Sequence, residues 1–146
     1  MNILVINGPS LNMLGVREPE VYGTQTYKDL ENYIMSFEDL YKVTIDIKQT
    51  NLEGIIIDLL QYGNDKFDGV ILNAGAFTHY SYALYDSIKS ISKPVIEVHL
   101  TDVNNREDFR KISVIKEACK ATVSGLGFKS YEEALKLLLK GSVTKW

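Results

Sequence analysis

With 146 residues, 45% of them hydrophobic and 24% charged, the chain has the size and composition of one globular domain able to bury a core. A net charge of -3 implies no basic face and argues against nucleic acid as a partner. The single cysteine, Cys119, excludes an internal disulfide framework, and no apolar run approaches membrane-spanning length. With no signal-peptide pattern after Met1, a cytoplasmic protein is expected.

Asn2–Ile6 is a short continuous apolar run, the pattern of a strand buried on both faces. Asn7–Thr24, read as NGPSLNMLGVREPEVYGT, then makes a connection far longer than the usual span of about two to six residues. Long ordered connections of this kind serve as lids or binding loops. This one carries an arginine, Arg17, and a tyrosine, Tyr22. Thr26 with Asp29 predicts a capping box, and Leu30, Tyr33, Ile34, Phe37 and Leu40 follow as one amphipathic helix. Val43, Ile45 and Ile47 alternate with polar residues, which predicts a half-exposed edge strand. Glu53–Tyr62 reads as a helix stopped by Gly63.

Val70, Ile71 and Leu72 form a third, buried strand ending at Asn73, and a helix around Tyr82–Ile91 follows. Lys93-Pro94 imposes an extended entry into a fourth strand, Val95–Leu100. Thr101–Arg110 is polar with a short helical segment, and Cys119 falls in a helix-like run as packing filler. Ala121–Ser124 is a weak fifth strand, Ser130 with Glu133 is expected to cap a last helix, and the tail Ser142–Trp146 is expected to fray. The alternation predicts a five-stranded parallel sheet covered on both faces, a flavodoxin-like three-layer sandwich forming a single domain over 1–146.

Open parallel sheets bind ligands beyond the carboxyl ends of their strands, so the residues there are the candidates. They are Asn7 and Ser10, Gln49 and Asn51, Asn73 and His79, and His99 and Thr101. Both histidines of the chain are among them. Each has a plain reading as well. His79 can neighbour a helix N-terminus, and His99 with Glu97, two positions earlier on the same side, can be a structural pair. Tyr22 alone would be a solvated loop tyrosine, and Arg110 alone a surface charge. There is no glycine-rich dinucleotide motif, no phosphate loop, no zinc-ligand spacing and no serine elbow. What remains is an acid–base site that needs no cofactor and no metal.

The opening NGPSLNMLGVREPEVYG resembles the first signature of the type II 3-dehydroquinate dehydratases. Gln49–Gly54 (QTNLEG), Leu72–Leu84 (LNAGAFTHYSYAL), Pro94–Arg110 (PVIEVHLTDVNNREDFR) and SGLG at Ser124–Gly127, followed by Tyr131, agree with it. The resemblance implies a lyase of the shikimate pathway, and so of aromatic amino acid biosynthesis, that removes water from 3-dehydroquinate to give 3-dehydroshikimate. By position it implies Tyr22 as base, Arg17 as its activator, His99 as acid and Glu97 as the residue orienting His99. Asn73, His79, Arg110 and the Leu100–Thr101 segment are implied as substrate contacts. Asp86 is implied as a contact lent to a neighbouring subunit, because the family assembles as trimers grouped into homododecamers.

The chemistry implied is coherent. A tyrosine of pKa about 10 is a poor base at neutral pH, and lowering it by about three units requires roughly 4 kcal/mol. A permanently charged guanidinium in a lid that excludes water can supply much of that. Some positions depart from the family's usual pattern: Ser10 stands where asparagine is common, Thr101-Asp102 where Ser-Asn is frequent, and Tyr85 where arginine is common beside Asp86. Two rivals belong to other classes. One is a catalytically silent domain binding a polyhydroxy acid, and the other a flavin-binding electron carrier of the same fold.

Overall fold

The computed structural model describes residues 1–141, with Tyr22 described by its backbone alone; the tail expected to fray lies outside the described residues. The chain runs β1 (Asn2–Asn7), α1 (Pro19–Tyr22), α2 (Tyr27–Met35), α3 (Phe37–Tyr41), β2 (Thr44–Gln49), α4 (Glu53–Gly63), β3 (Gly69–Asn73), α5 (Tyr82–Ser90), β4 (Val95–His99), β5 (Ala121–Ser124) and α6 (Lys129–Lys140). All five strands are parallel, in the order β2-β1-β3-β4-β5. That is the flavodoxin-like order.

The alternation of side chains along β1 divides the core. Ile3 and Val5 pack with Leu30, Ile34 and Phe37 of α2 and α3 and with Leu135 and Leu138 of α6. Leu4 and Ile6 face the other way, onto Ile56 and Leu60 of α4 and Leu84 and Ile88 of α5. Two apolar layers therefore flank one sheet, as period-two patterning in a doubly covered sheet requires. β2 is the half-exposed edge, as its alternation predicts. The capping box is present: Thr26 Oγ1 accepts from the Asp29 N–H at 3.1 Å, and Asp29 Oδ2 accepts from the Thr26 N–H at 2.9 Å.

Three local expectations are corrected. The helix after Thr26 breaks at Ser36, whose hydroxyl donates to the Tyr33 carbonyl at 2.6 Å and competes with the helical ladder. Gly63 lies inside α4, and a Cβ there would approach Leu4 and Phe67 side chains at 3.1 and 3.2 Å, so it serves close packing against β1. Ser130 sits within α6 and makes no cap; its Oγ accepts from the Leu126 N–H at 3.2 Å. The connection from β4 to β5 holds three short 3₁₀ turns, Val103–Asn105, Asp108–Lys111 and Lys116–Ala118, the first two supplying the short helical segment expected after the fourth strand. Cys119 ends the last of these turns, packed against the second apolar layer; burial pushes its thiol pKa well up, and it stays an inert filler. Among the described residues no helix is long and apolar enough to cross a membrane.

Candidate active site

Strand order reverses between β1 and β3, and there the two exit loops touch. The Gly8 N–H donates to the Asn73 carbonyl at 2.8 Å, and a Cβ on Gly8 would sit 2.9 Å from the Ala74 backbone. Gly75 answers from the other loop with φ +58 and Pro9 packed where its Cβ would be. Only glycine at both positions lets the loops meet so closely. Ser10 follows in a left-handed conformation, φ 68, which asparagine adopts more readily than serine. Its N–H donates to Asn51 Oδ1 at 3.0 Å, and Gln49 Nε2 donates to the Gly8 carbonyl at 3.2 Å. Gln49 and Asn51 thus brace the loop from β2.

A cavity of about 210 Å³ opens beyond the carboxyl ends of β1, β3 and β4. The first loop contributes Pro9, Ser10, Leu11 and Arg17, the exit of β3 contributes Asn73 and His79, and the exit of β4 contributes His99, Leu100 and Thr101. Arg106 and Arg110 close the remaining side. Seven of the predicted site residues therefore share one wall: Arg17, Asn73, His79, His99, Leu100, Thr101 and Arg110. Among the described residues three guanidinium groups and no acidic residue line it, which favours an anionic occupant. Asp86 is elsewhere, on the exposed face of α5. The side chain of Tyr22 lies outside the described residues, while its backbone ends α1 in the same loop as Arg17.

Glu97 stands directly behind His99, with His99 Nε2 2.7 Å from Glu97 Oε2. The carboxylate is completely buried and takes three hydroxyl donors as well: Thr78 at 2.6 Å, Ser113 at 2.8 Å and Thr122 at 2.9 Å. Burial works to raise its pKa, but the hydrogen bonds from His99, Thr78 and Ser113 outweigh it and hold the carboxyl well below the usual range. A buried anion so held keeps one ring nitrogen of His99 engaged and leaves the other for a molecule in the cavity. His79 differs. Its Nδ1 lies 2.7 Å from the Ile112 carbonyl, and its ring meets Phe109 edge-on. A carbonyl only accepts, so Nδ1 carries the proton. Burial then lowers the pKa of His79, so the ring favours the neutral form, with Nε2 as an acceptor.

Sequence reasoning missed Thr78, Ser113 and Thr122, and it missed Arg106, whose Nη1 donates to Thr101 Oγ1 at 3.3 Å. Arg106 lay within the polar stretch after the fourth strand, and its position beyond a strand end was the one usable signal. Asp102 also gains an account. It caps the turn after β4, accepting from the Asn104 N–H at 3.0 Å and from Asn105 Nδ2 at 3.1 Å.

The family described as Dehydroquinase class II matches the chain over residues 1–139. A 3-dehydroquinate dehydratase of Halalkalibacterium halodurans is 50% identical over 139 residues, covering 95% of this chain and 96% of that one. Another, of Clostridium acetobutylicum, is 47% identical over 131 residues, covering 90% and 91%. The crystal structure of a type II dehydroquinase from Butyrivibrio crossotus superposes with a TM-score of 0.93 at 44% identity, covering 95% of this chain and 97% of that one. With the sheet order, the cavity at its switch point and near full-length likeness in agreement, the chain belongs to the class II dehydroquinases, the type II 3-dehydroquinate dehydratases.

Proposed function

We propose that this chain removes water from 3-dehydroquinate to give 3-dehydroshikimate by acid–base chemistry on its own side chains. The observation that carries the reading is the His99–Glu97 pair facing a cavity lined by arginines and, among the described residues, by no carboxylate. In the proposed sequence Tyr22, as phenolate, takes the proton next to the substrate ketone, and the C–H electrons become an enolate. The enolate collapses, the neighbouring C–O bond breaks, and the departing oxygen takes a proton from His99, so that water leaves. Arg17 stabilises the Tyr22 phenolate, and Glu97 holds the His99 ring in line. Asn73, His79, Arg110 and the Leu100–Thr101 segment hold the substrate, whose carboxylate matches the guanidinium groups around it.

The same reading makes the protein a cytoplasmic enzyme of the shikimate pathway, assembled as a dodecamer of four trimers in which Asp86 reaches a neighbour's cavity. The exposed position of Asp86 on α5 is compatible with that role. Sedimentation of the purified protein measures the assembly, and a monomeric species with full activity would remove Asp86 from the site.

The direct test is to add 3-dehydroquinate and follow the ultraviolet absorbance of the conjugated enone product. No rise in absorbance, with the protein folded, would sink the proposal. A second test concerns covalency. Among the described residues no lysine lines the cavity, so borohydride added with substrate is expected to leave activity intact. Rapid inactivation with added mass on a lysine would replace the enolate route by a Schiff-base one.

A further inference from the structure

A line of hydrogen bonds inside the core ends on one amide of the cavity wall. Tyr131, on α6, is fully buried, and its hydroxyl donates to Asn7 Oδ1 at 2.7 Å. A hydroxyl has one hydrogen, so the Tyr131 oxygen is left as an acceptor. It accepts from Asn73 Nδ2 at 3.0 Å. The Asn73 side-chain oxygen accepts in turn from the Gly75 N–H at 3.2 Å, a backbone donor that cannot reverse its polarity. Asn7 is also fully buried, and its own amide donates toward Tyr27 Oη at 3.4 Å.

The directions of these bonds select one orientation of the Asn73 amide. Turned over, its NH₂ would face the Gly75 N–H, donor against donor. Its oxygen would then face a Tyr131 hydroxyl whose hydrogen is already committed to Asn7. Mispaired polar groups are costly where water cannot reach them. An asparagine amide carries two N–H hydrogens, and Tyr131 takes one. The cavity therefore meets the other as a donor on a side chain that lines it. Neither Tyr131 nor Asn7 lines the cavity itself.

We propose that Tyr131 and Asn7 are positioning residues that lock Asn73 with an N–H aimed at a substrate oxygen. The proposal rests on the reaction proposed above. Tyr131→Phe keeps the ring and removes the hydroxyl. It is expected to lower kcat/KM about tenfold, the size of one lost hydrogen bond, while the protein stays folded. Asn73→Ala should lose at least as much. Because Tyr131 acts through Asn73, adding Tyr131→Phe to Asn73→Ala should cost less than about a further twofold. A packing defect alone would lower the melting temperature and multiply the losses in activity. Should Tyr131→Phe fail to fold, Asn7→Ala leaves the Tyr131 ring and hydroxyl in place and is expected to show the same coupling. A readout independent of turnover is NMR of the side-chain amides in protein with isotope-labelled asparagine, with the Asn73 pair assigned by its loss in Asn73→Ala. That pair should move in Tyr131→Phe. Unmoved Asn73 resonances, or equal fold-losses in both backgrounds, would overturn the proposal. No turnover by the unaltered enzyme would instead sink the proposed reaction, and the resonances would then decide whether the lock exists.

Discussion

His99→Ala is expected to lower kcat by roughly a hundred- to ten-thousand-fold, the usual contribution of a positioned general acid, with little loss of affinity for a substrate-like ligand. The cavity offers no substitute. His79 has its Nδ1 proton turned to the Ile112 carbonyl, and burial lowers its pKa, so it is a poor proton donor at neutral pH. A guanidinium is too weak an acid to take the place of an imidazolium. Binding should survive because Asn73, Arg17, Arg106 and Arg110 remain. Glu97→Gln should lose less, since a glutamine oxygen in the Oε2 position still accepts from His99, Thr78 and Ser113. The charge behind the ring is lost, and an amide NH₂ takes the place of the oxygen that meets Thr122. The same variant has a signature in stability. The Glu97 carboxyl is held below its ordinary value of 4.5, so its contribution is present above that pH and lost as pH falls through the lower folded value. Melting temperatures of the parent and Glu97→Gln should therefore differ at neutral pH and converge in acid. Equal loss of kcat in Glu97→Gln and His99→Ala would make the carboxylate a participant in the chemistry and not an orienter.

The parts legible in the sequence were those that local patterning encodes. β1 and β3 showed as unbroken apolar runs because both faces are covered, and β2 showed as an alternating run because it is the edge. The strand-end rule found Asn73, His79 and His99 because parallel strands point all their exits to one side. Partnerships across the sheet were invisible. Thr122 meets Glu97 because β4 and β5 pair in a register that puts them side by side, and nothing near either residue specifies it. Ser113 reaches the same carboxylate from an irregular connection, and Tyr131 reaches Asn7 from the far end of the chain. The failed cap at Ser130 has the opposite cause. A serine with an acidic residue three positions later fits the capping pattern, but burial turns the hydroxyl inward to the Leu126 N–H.

The largest loss is expected from Tyr22→Phe, which should abolish turnover at every pH because no oxygen remains to take the proton. The neighbouring arginine should instead act through pH. If the base must be ionised, kcat/KM rises with pH on a limb that reports its pKa. A guanidinium beside the phenolate favours the charged form and pulls that limb down. Arg17 lines the cavity and directly precedes a left-handed turn at Glu18, φ 38, which leads into α1. Glu18, 3.7 Å from the Arg17 guanidinium, is about half exposed, so water screens much of that attraction. In Arg17→Ala the limb should shift upward toward the ordinary tyrosine value of about 10. Arg17→Lys should fall between, since it keeps a charge and loses the planar fork. Closing the loop over substrate is a second role open to Arg17, and it has a different signature. Loss of closure alone changes KM and kcat together and leaves the limb in place. An unmoved limb in folded Arg17→Ala would make the arginine a latch, and the activation of Tyr22 would have to come from elsewhere in the cavity.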